Sequence, residues 1–303
     1  WTNGYKNFVS QLFDESIDKS KFHSKYLSAL FYHTLNNADR VDFVFLIDNK
    51  SPFTNGKKVS VPYLNGGLFD NDFKEGNKIN FPVDLFEDLF EFLGQYNFTI
   101  DENSPEDHEV GIDPEMLGHI FENLLEDNRD KGAYYTPKEV VHYMSQQSLI
   151  EYVKHRLDIE DKSIDNFIKK GELSNVITNK AKTIKQLLEE VKVCDPAIGS
   201  GAFPMGVLKE IFAALQRLHT VLSPEVPFNE ADTKKGIIQH SIYGVDLESG
   251  AVDIARLRFW LALVVDEDEP QPLPNLDYKI ITGNSLIHKH PIDVSIRLTA
   301  IKI

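Results

Sequence analysis

The chain has 303 residues and a net charge of −15, and 42% of its residues are hydrophobic while 26% are charged. This composition predicts a soluble globular protein with a substantial core, and the acidity argues against a surface that binds DNA or RNA without another domain. The longest apolar run, 259–265, is far shorter than the roughly 20 residues of a membrane helix, and no signal segment is evident. A single cysteine excludes an internal disulfide and favours a reducing, cytoplasmic setting. Because Trp1 rather than Met opens the chain, we expect a piece of a longer protein.

Residues 1–130 are predicted to form a mainly helical region. Apolar residues at three-to-four spacing indicate the helices, and clusters of Gly, Asn, Pro or acidic residues indicate the connections. The predicted helices are 5–18, 21–36, a segment opened by Pro82 and a segment with Pro114 in its first turn. The predicted connections are a strand at 41–48, a loop at 51–80 and an acidic linker at 101–109. The helix after Pro82 is predicted to bury Leu85, Phe86, Leu89, Phe90 and Leu93 on one side.

Residues 131–303 change to a strand–turn–helix pattern. The predicted helices are 137–157, 162–190 with breaks at Gly171 and Asn179, 203–219 and 249–264. The predicted strands are 191–194, 241–246 and 277–282. Strands that alternate with helices indicate an α/β fold with a parallel, doubly wound sheet. Ligands of such sheets bind beyond the carboxyl ends of the strands, where polar residues follow all three predicted strands.

The first of these strand ends carries the segment D-P-A-I-G-S-G-A-F, residues 195–203. A glycine turn between a strand and a helix lets backbone approach a ligand closely. Asp195 directly precedes the glycine turn, and a carboxylate at this position would not help the turn to bind the phosphates of a dinucleotide. The third glycine of the dinucleotide-binding pattern is also missing after Gly201. The segment therefore favours a ligand that has a cationic amino group and no phosphates, such as S-adenosylmethionine. A turn that serves only tight packing is the alternative.

The other two strand ends carry Asp246 and Asn284. An acid at the end of a second strand can accept both hydroxyl hydrogen bonds of a ribose; the usual gap from the glycine turn is about 20 residues. Here 45 residues separate Gly201 from Asp246, which indicates an insertion around 222–230. An acid that caps helix 249–264 is the alternative. Asn284 could bond an adenine edge through its amide or belong to an ordinary turn.

The segment G-A-Y-Y-T-P-K-E, residues 132–139, begins the second region. Thr136 as the helix cap, Pro137 at the first helical position and Glu139 three residues after the cap form a capping box. This explanation leaves the paired Tyr134 and Tyr135 unexplained. The ten histidines are scattered, so no spacing typical of a metal site emerges.

Taken together, these segments resemble the amino-group DNA methyltransferases, specifically the N6-adenine enzymes of bacterial restriction–modification and BREX-type defence systems. "GAYYTP" resembles their motif X, "DPAIGSGAF" motif I, "YGVDLES" motif II and "ITGNSL" motif III, in the order of the gamma arrangement. "PYLNGGLF" and "YNFTIDENSPEDHEVGIDPEMLGHIFENLL" look like the segment before motif X in large fused restriction–methylation proteins. The resemblance implies a Rossmann-like, S-adenosylmethionine-dependent domain at 131–303 with an incomplete parallel sheet, after a mainly helical region at 1–130.

The resemblance also assigns cofactor contacts to the matching positions. Thr136 and its neighbours would touch the methionine part of the cofactor, while Asp195 and the glycine turn would hold its amino acid and ribose side. Asp246 would accept hydrogen bonds from the ribose hydroxyls, and Leu247 would lie against the adenine face. Ile198 stands where the family often has Cys, at a backbone-facing position that we expect to tolerate the change. The full set implied as cofactor-binding is Tyr135, Thr136, Pro137, Asp195, Ala197, Gly199, Gly201, Phe203, Asp246, Leu247, Asn284 and Ser285.

The family's catalytic loop, motif IV, is an Asn/Asp-Pro-Pro-aromatic segment after motif III, and the sequence holds no Pro-Pro dipeptide. We therefore expect no catalytic residue and no metal ligand here, and a chain that binds cofactor without methylating. Double-stranded DNA would be bound through regions that this sequence lacks, with a possible fused nuclease or target-recognition domain. Two alternatives stay open: a Rossmann methyltransferase for RNA, protein or small molecules, and a degenerate subunit that binds no cofactor.

Overall fold

The computed structural model describes five segments of the chain and a few isolated positions. The segments are 7–37, 78–95, 136–157, 162–264 and 274–287. The isolated positions are 39, 47, 50, 51, 56, 61, 63, 64 and 159.

Helices dominate the described residues. The α-helices are α1 (Phe8–Asp14), α2 (Val83–Leu93), α3 (Lys138–Leu157), α4 (Ser163–Lys170), α5 (Asn175–Glu190), α6 (Ala202–Leu222), α7 (Glu230–Ser241) and α8 (Ser249–Val264). A 3₁₀ turn, Lys19–Lys21, and two π-helical segments, Phe22–Leu27 and Ala29–Leu35, follow α1. The strands are β1 (Val193–Asp195), β2 (Ile242–Asp246) and β3 (Ile280–Thr282).

The three strands form a parallel sheet in the order β1-β2-β3. Asp195 at the end of β1 is level with Gly244, and Thr282 at the end of β3 is level with Asp246. The helical connections between the strands pack on the sheet, since α6 contacts β1 and β2 while α8 contacts β2 and β3. This arrangement confirms the α/β class and the parallel pairing predicted from the sequence, and it brings the carboxyl ends of all three strands to one edge.

The main core lies between this sheet and its helices, where apolar side chains recur on the inner face of each helix. On α5 the buried residues Ile177, Ala181, Ile184 and Leu188 follow the helical repeat. Trp260 on α8 is 2% exposed, and its indole Nε1 donates to the carbonyl oxygen of Pro274 at 3.2 Å. The aromatic ring is thus buried with its polar atom satisfied.

The amino-terminal region has a second buried cluster, built largely from aromatic rings. Phe13 and Phe22 pack edge-to-face with 4.9 Å between centroids, and Phe86 on α2 packs edge-to-face on Phe22 at 5.0 Å. The helix predicted after Pro82 is confirmed, although its apolar face is narrower than predicted. Leu85 and Leu89 are 50% and 43% exposed, because α2 meets the cluster along the line of Phe86 and Phe90.

Two predicted helices of this region are corrected. The helix predicted at 5–18 is limited to α1. The helix predicted at 21–36 is wound more widely, as the hydrogen bond from the amide of Asn36 to the carbonyl oxygen of Phe31 illustrates with its i→i+5 spacing.

In the second region, the predicted helix at 162–190 breaks only once. Gly171 has a φ of +75° and ends α4, as expected of a left-handed helix terminus. The break predicted at Asn179 is wrong: the buried stripe of α5 continues past this exposed position, where a polar residue disturbs nothing. Ser174 begins that helix, since its hydroxyl accepts the amide of Ile177.

Three further elements differ from the prediction. Helix α7 begins at the last residue of the predicted insertion at 222–230 and was missed. The strand predicted at 277–282 is reduced to β3, because residues 277–279 form a turn in which the amides of Lys279 and Ile280 both donate to Leu276. Helix α3 begins one residue after Pro137, whose carbonyl oxygen accepts the first helical hydrogen bonds.

Several predictions lie outside the described residues: the strand at 41–48 apart from Ile47, most of the loop at 51–80, the linker at 101–109, the helix with Pro114, Tyr134 and Tyr135, and the domain boundary at 130 and 131. Among the helices that the structure describes, none combines the length and the apolarity needed to cross a membrane.

Candidate cofactor site

Two carboxylates from neighbouring strands define the candidate site. Asp195 ends β1 and Asp246 ends β2, two residues beyond the level at which Asp195 pairs with Gly244. Both side chains are half-buried. The prediction that these acids stand at adjacent strand ends is therefore correct in its geometry, and the glycine turn runs between them.

Asp246 ties three backbone segments together. Its Oδ2 accepts the amide of Gly199 at 2.8 Å, and its Oδ1 accepts the amide of Glu248 at 3.0 Å. Its main-chain carbonyl oxygen accepts the amide of Gly283 at 2.7 Å. The end of β2 thus fixes the glycine turn, the start of α8 and the end of β3 relative to one another.

The glycine turn uses conformations that other residues reach only with strain. Gly199 and Gly201 have φ values of +53° and +89°. A Cβ on Gly201 would lie 3.2 Å from the Cβ of Ala255 on α8, so this glycine permits close packing. A Cβ on Gly199 would meet no atom within 4 Å, so this part of the turn faces open space.

Ile198 occupies the core beneath the turn rather than a merely backbone-facing position. It is 4% exposed, and its amide donates to the carbonyl oxygen of Val245 at 3.0 Å. A Cβ on Gly244 would lie 2.2 Å from Cδ1 of Ile198. Gly244 is therefore required by the isoleucine that packs on it, a pairing that the sequence did not reveal.

The electrostatics of the site are set by the two acids. Burial raises the pKa of Asp195 above its ordinary value; the neighbouring charge of Asp246 acts in the same direction. The hydrogen bond from the amide of Ala197 to Oδ1 of Asp195, at 3.0 Å, opposes this shift. A cation placed between the two acids would relieve their repulsion, so the pair suits a positively charged ligand.

A cavity of about 340 Å³ lies beside the turn, between the first turns of α3 and α6. The carboxylate of Glu210 on its wall accepts the side-chain amide of Gln146 at 3.1 Å and contacts Nδ1 of His142 at 2.6 Å. The cavity does not reach Asp195 or Asp246 but extends along α6 from Ala202. The start of α3, directly after Thr136 and Pro137, therefore lies near the start of α6, directly after the glycine turn.

The other predicted residues stand at the rim of the site. Leu247 is 71% exposed directly after Asp246. Asn284 and Ser285 are exposed after β3, and Oδ1 of Asn284 accepts the amide of Leu286 at 2.9 Å in a local turn. Phe203 is half-buried in the first turn of α6, and Tyr135 lies outside the described residues. The side-chain oxygen of Asn284 thus stabilises this local turn.

Sequence reasoning missed Arg258 on α8. Its guanidinium is buried, and Nη1 donates to the carbonyl oxygen of Ser200 within the glycine turn at 2.8 Å. The available signal was an arginine inside the apolar run R-L-R-F-W-L-A-L-V, where a solvated side chain is unexpected.

The fold and the site together define an α/β protein with a glycine turn and two strand-end acids at the carboxyl edge of a parallel sheet. Within the residues that the structure describes, no group of three or more His, Cys, Asp or Glu side chains is placed to hold a metal ion.

No model of a known protein family matches the chain. It is 31% identical over 293 residues to the "Putative type II restriction enzyme and methyltransferase RM.MjaORFECS2P" of Methanocaldococcus jannaschii, with 88% of this chain and 24% of the relative covered. The chain therefore spans about a quarter of the length of this relative, and the shared segment is homologous.

A fold likeness comes from the type IIL restriction–modification enzyme MmeI, solved in complex with DNA. The TM-score is 0.50 at 17% identity, with 92% of this chain and 36% of that chain covered. At this level of identity the likeness concerns the fold alone.

Proposed function

We propose that the chain is the S-adenosylmethionine-binding portion of a site-specific DNA methyltransferase that modifies the N6 amino group of adenine in a restriction–modification or related phage-defence system. The observation that carries the proposal is the hydrogen bond from Gly199 to Asp246, which joins the predicted motif I turn to the predicted motif II acid. The ordered motifs and the homologous relative support the same conclusion.

The residues present fit the cofactor. A carboxylate offers about four acceptor positions, and backbone amides of Gly199 and Glu248 use two of those on Asp246. Two positions remain, which matches the two hydroxyls of a ribose. The turn faces open space at Gly199, so a ligand can approach its backbone.

Each part of the site has a role in this proposal. Asp246 binds the ribose hydroxyls, and Asp195 accepts hydrogen bonds from the cationic amino acid end. Thr136 and Pro137 border the methionine part, while Leu247 covers one adenine face and Asn284 donates to the adenine edge. When bound, S-adenosylmethionine supplies a methyl group activated by its sulfonium centre; the chain's own residues orient the cofactor and hold its charges.

Methyl transfer itself requires more than these residues. The sequence contains no Asn/Asp-Pro-Pro-aromatic segment, the loop that would accept the target amino group and stack on a flipped base. The net charge of −15 opposes binding to a polyanion. We therefore propose that another part of the parent protein supplies the catalytic loop and the DNA-binding surface, and that this chain alone binds cofactor without methylating DNA.

Calorimetric titration of S-adenosylmethionine and S-adenosylhomocysteine into the chain tests the proposal. Asp246→Ala should weaken binding by about 1–3 kcal/mol, because a hydrogen-bonded charged acceptor is lost. The matched control is Asp253→Asn on α8, which removes an exposed carboxylate and should leave the affinity unchanged.

The unfolding midpoint of each variant must accompany the titration, because Asp246 also holds two backbone amides. Equal affinity of Asp246→Ala and the unsubstituted chain for the cofactor would show that the ribose lies elsewhere. Absence of binding by the folded, unsubstituted chain would instead mean either that the pocket needs the rest of the longer protein or that the chain is a degenerate, cofactor-free subunit, and titration of the full-length protein would separate the two.

A further inference from the structure

We propose that Arg258 is a positioning residue that holds the glycine turn in its ligand-binding conformation; this rests on the proposed function of the turn. Arg258 is 4% exposed. Its Nη1 donates to the carbonyl oxygen of Ser200 at 2.8 Å and lies 3.5 Å from Oγ of the same serine. The contact joins α8 to the turn across 58 residues of sequence.

The contact falls where the turn is least constrained by its own chain. Ser200 lies between Gly199 and Gly201, which both have positive φ values and have the greatest conformational freedom of any residue type. Since a trans peptide holds its carbonyl and its amide in one plane, fixing the Ser200 carbonyl also fixes the amide of Gly201. That amide donates to the carbonyl oxygen of Ile198 at 2.9 Å.

Helix α8 supports the same turn by packing. Ala255 and Phe259 lie closest to Gly201, at 3.2 Å and 3.9 Å from the position that a Cβ on this glycine would take. The helix therefore approaches Gly201 with apolar atoms and binds Ser200 with a guanidinium. Arg258 also lines the cavity between α3 and α6, so it lies between that cavity and the turn.

A purely structural role would require only that the Ser200 carbonyl be satisfied. A neutral donor would do this without the desolvation cost of burying a guanidinium. Nη1 of the buried guanidinium instead lies within reach of two atoms of Ser200, the carbonyl oxygen and Oγ, so it restrains this residue of a turn whose backbone must meet a ligand. This geometry favours a role in preorganising the turn over a contribution to stability alone.

Arg256 provides a matched control on the same helix. Its Nε and Nη2 donate to the carbonyl oxygen of Ile280 at 3.0 Å and 2.8 Å, at the start of β3 and away from the glycine turn. Arg256→Met thus removes a side-chain-to-backbone contact from the same helix, together with the contacts of Nη1 to Asp253 at 3.8 Å and to Asp277 at 3.3 Å. Arg258→Lys keeps the charge but loses the planar donor group.

Two measurements on the chain decide the role. The first is titration of S-adenosylmethionine: Arg258→Met should lower the affinity at least tenfold, Arg258→Lys should recover part of it, and Arg256→Met should change it less than threefold. The second is amide hydrogen exchange without cofactor: Arg258→Met should speed exchange of Gly199 and Gly201 at least tenfold, while amides of α5 keep their parent rates.

The proposal would be overturned if the amides of the turn exchanged at the same rate in Arg258→Met as in the unsubstituted chain. It would also be overturned if the affinity lost by each Arg258 and Arg256 variant were proportional to the free energy of unfolding that the variant loses. If the parent chain binds no cofactor, the proposed function fails while exchange still decides whether Arg258 holds the turn. If Arg258→Met does not fold, the same two readings on Arg258→Lys decide, with parent-like exchange refuting the role.

Discussion

Replacing Gly244 with alanine should destabilise the chain through one identifiable contact. The added Cβ would lie 2.2 Å from Cδ1 of Ile198 and 3.0 Å from its Cβ and Cγ1. Ile198 has little freedom to move, because it is 4% exposed and its amide is bonded to Val245. Overpacking a core typically costs about 1–3 kcal/mol, whereas replacing glycine by alanine at a compatible backbone recovers about 0.4–1 kcal/mol. We expect Gly244→Ala to lower the free energy of unfolding by about 1–2 kcal/mol on this balance.

A double-mutant cycle with Ile198→Val isolates the contact, because valine lacks the Cδ1 atom that lies closest. Ile198→Val alone should cost about 0.5–1.5 kcal/mol. In that background Gly244→Ala should cost about 1 kcal/mol less than in the parent, a coupling within the usual range for residues in contact. Urea unfolding gives the free energy of unfolding of the unsubstituted chain, the two single variants and the double variant. The dependence of this free energy on urea concentration, the slope m, should be the same for all four.

The matched control for this cycle is Gly236→Ala in α7, where an added Cβ would meet nothing within 4 Å. It should stabilise the chain by about 0.5–1 kcal/mol, the helix preference of alanine over glycine. Equal costs of Gly244→Ala in the two Ile198 backgrounds would refute the steric reasoning. Because Ile198 underlies the glycine turn, the same substitution should also weaken cofactor binding in proportion to the shift of the turn.

Two further predictions concern ionisation. The pKa of Asp195 in the folded chain is raised above the ordinary 3.8, so the folded state loses stability as the pH rises through this raised pKa. Asp195→Asn should therefore unfold at a higher urea concentration than the unsubstituted chain at pH 8, and the difference should be smaller at pH 4. The same variant should bind S-adenosylmethionine more weakly. A lower midpoint for this variant at pH 8 would contradict the sign. Lys279, whose Nζ lies 3.8 Å from the centroid of the Tyr243 ring, lowers the pKa of Tyr243, and the positive charge of Lys192 acts in the same direction, so Lys279→Met should raise this pKa. Tyrosinate absorbance, with Tyr243→Phe subtracted, measures this change, and an unaltered titration would exclude the contact.

Local sequence patterns predicted those features that local chemistry determines. The helices predicted at 137–157 and 249–264 correspond to α3 and α8, and the glycine turn between a strand and a helix was predicted in the correct position. Asp195 and Asp246 were identified as polar residues at the ends of two predicted strands, because the alternation of strands and helices already implied parallel pairing.

The features that the sequence did not reveal depend on contacts between distant residues. Neither the pairing of Gly244 with Ile198 nor that of Arg258 with Ser200 leaves a local pattern. The turn at 277–279 contains Tyr278 and Lys279, in a run whose β-branched and aromatic residues favour a strand. The hydrogen bonds to Leu276 nevertheless hold these residues in a turn, so the strand begins only at Ile280. Helix α7 was missed because Gly236 interrupts its middle and only a short part of it is buried.

The long gap between the glycine turn and its partner acid illustrates the difference between sequence spacing and spatial spacing. Residues 201 and 246 are 45 positions apart, more than twice the separation of about 20 residues usual for this kind of site. Yet the amide of Gly199 lies 2.8 Å from Oδ2 of Asp246. The additional residues form the long helix α6, a connection at 223–229 and α7, which packs against α5 and α6. A crossover between parallel strands can lengthen in this way without moving either strand end, so the place of a residue at the end of a strand is better evidence for a shared site than its distance along the chain.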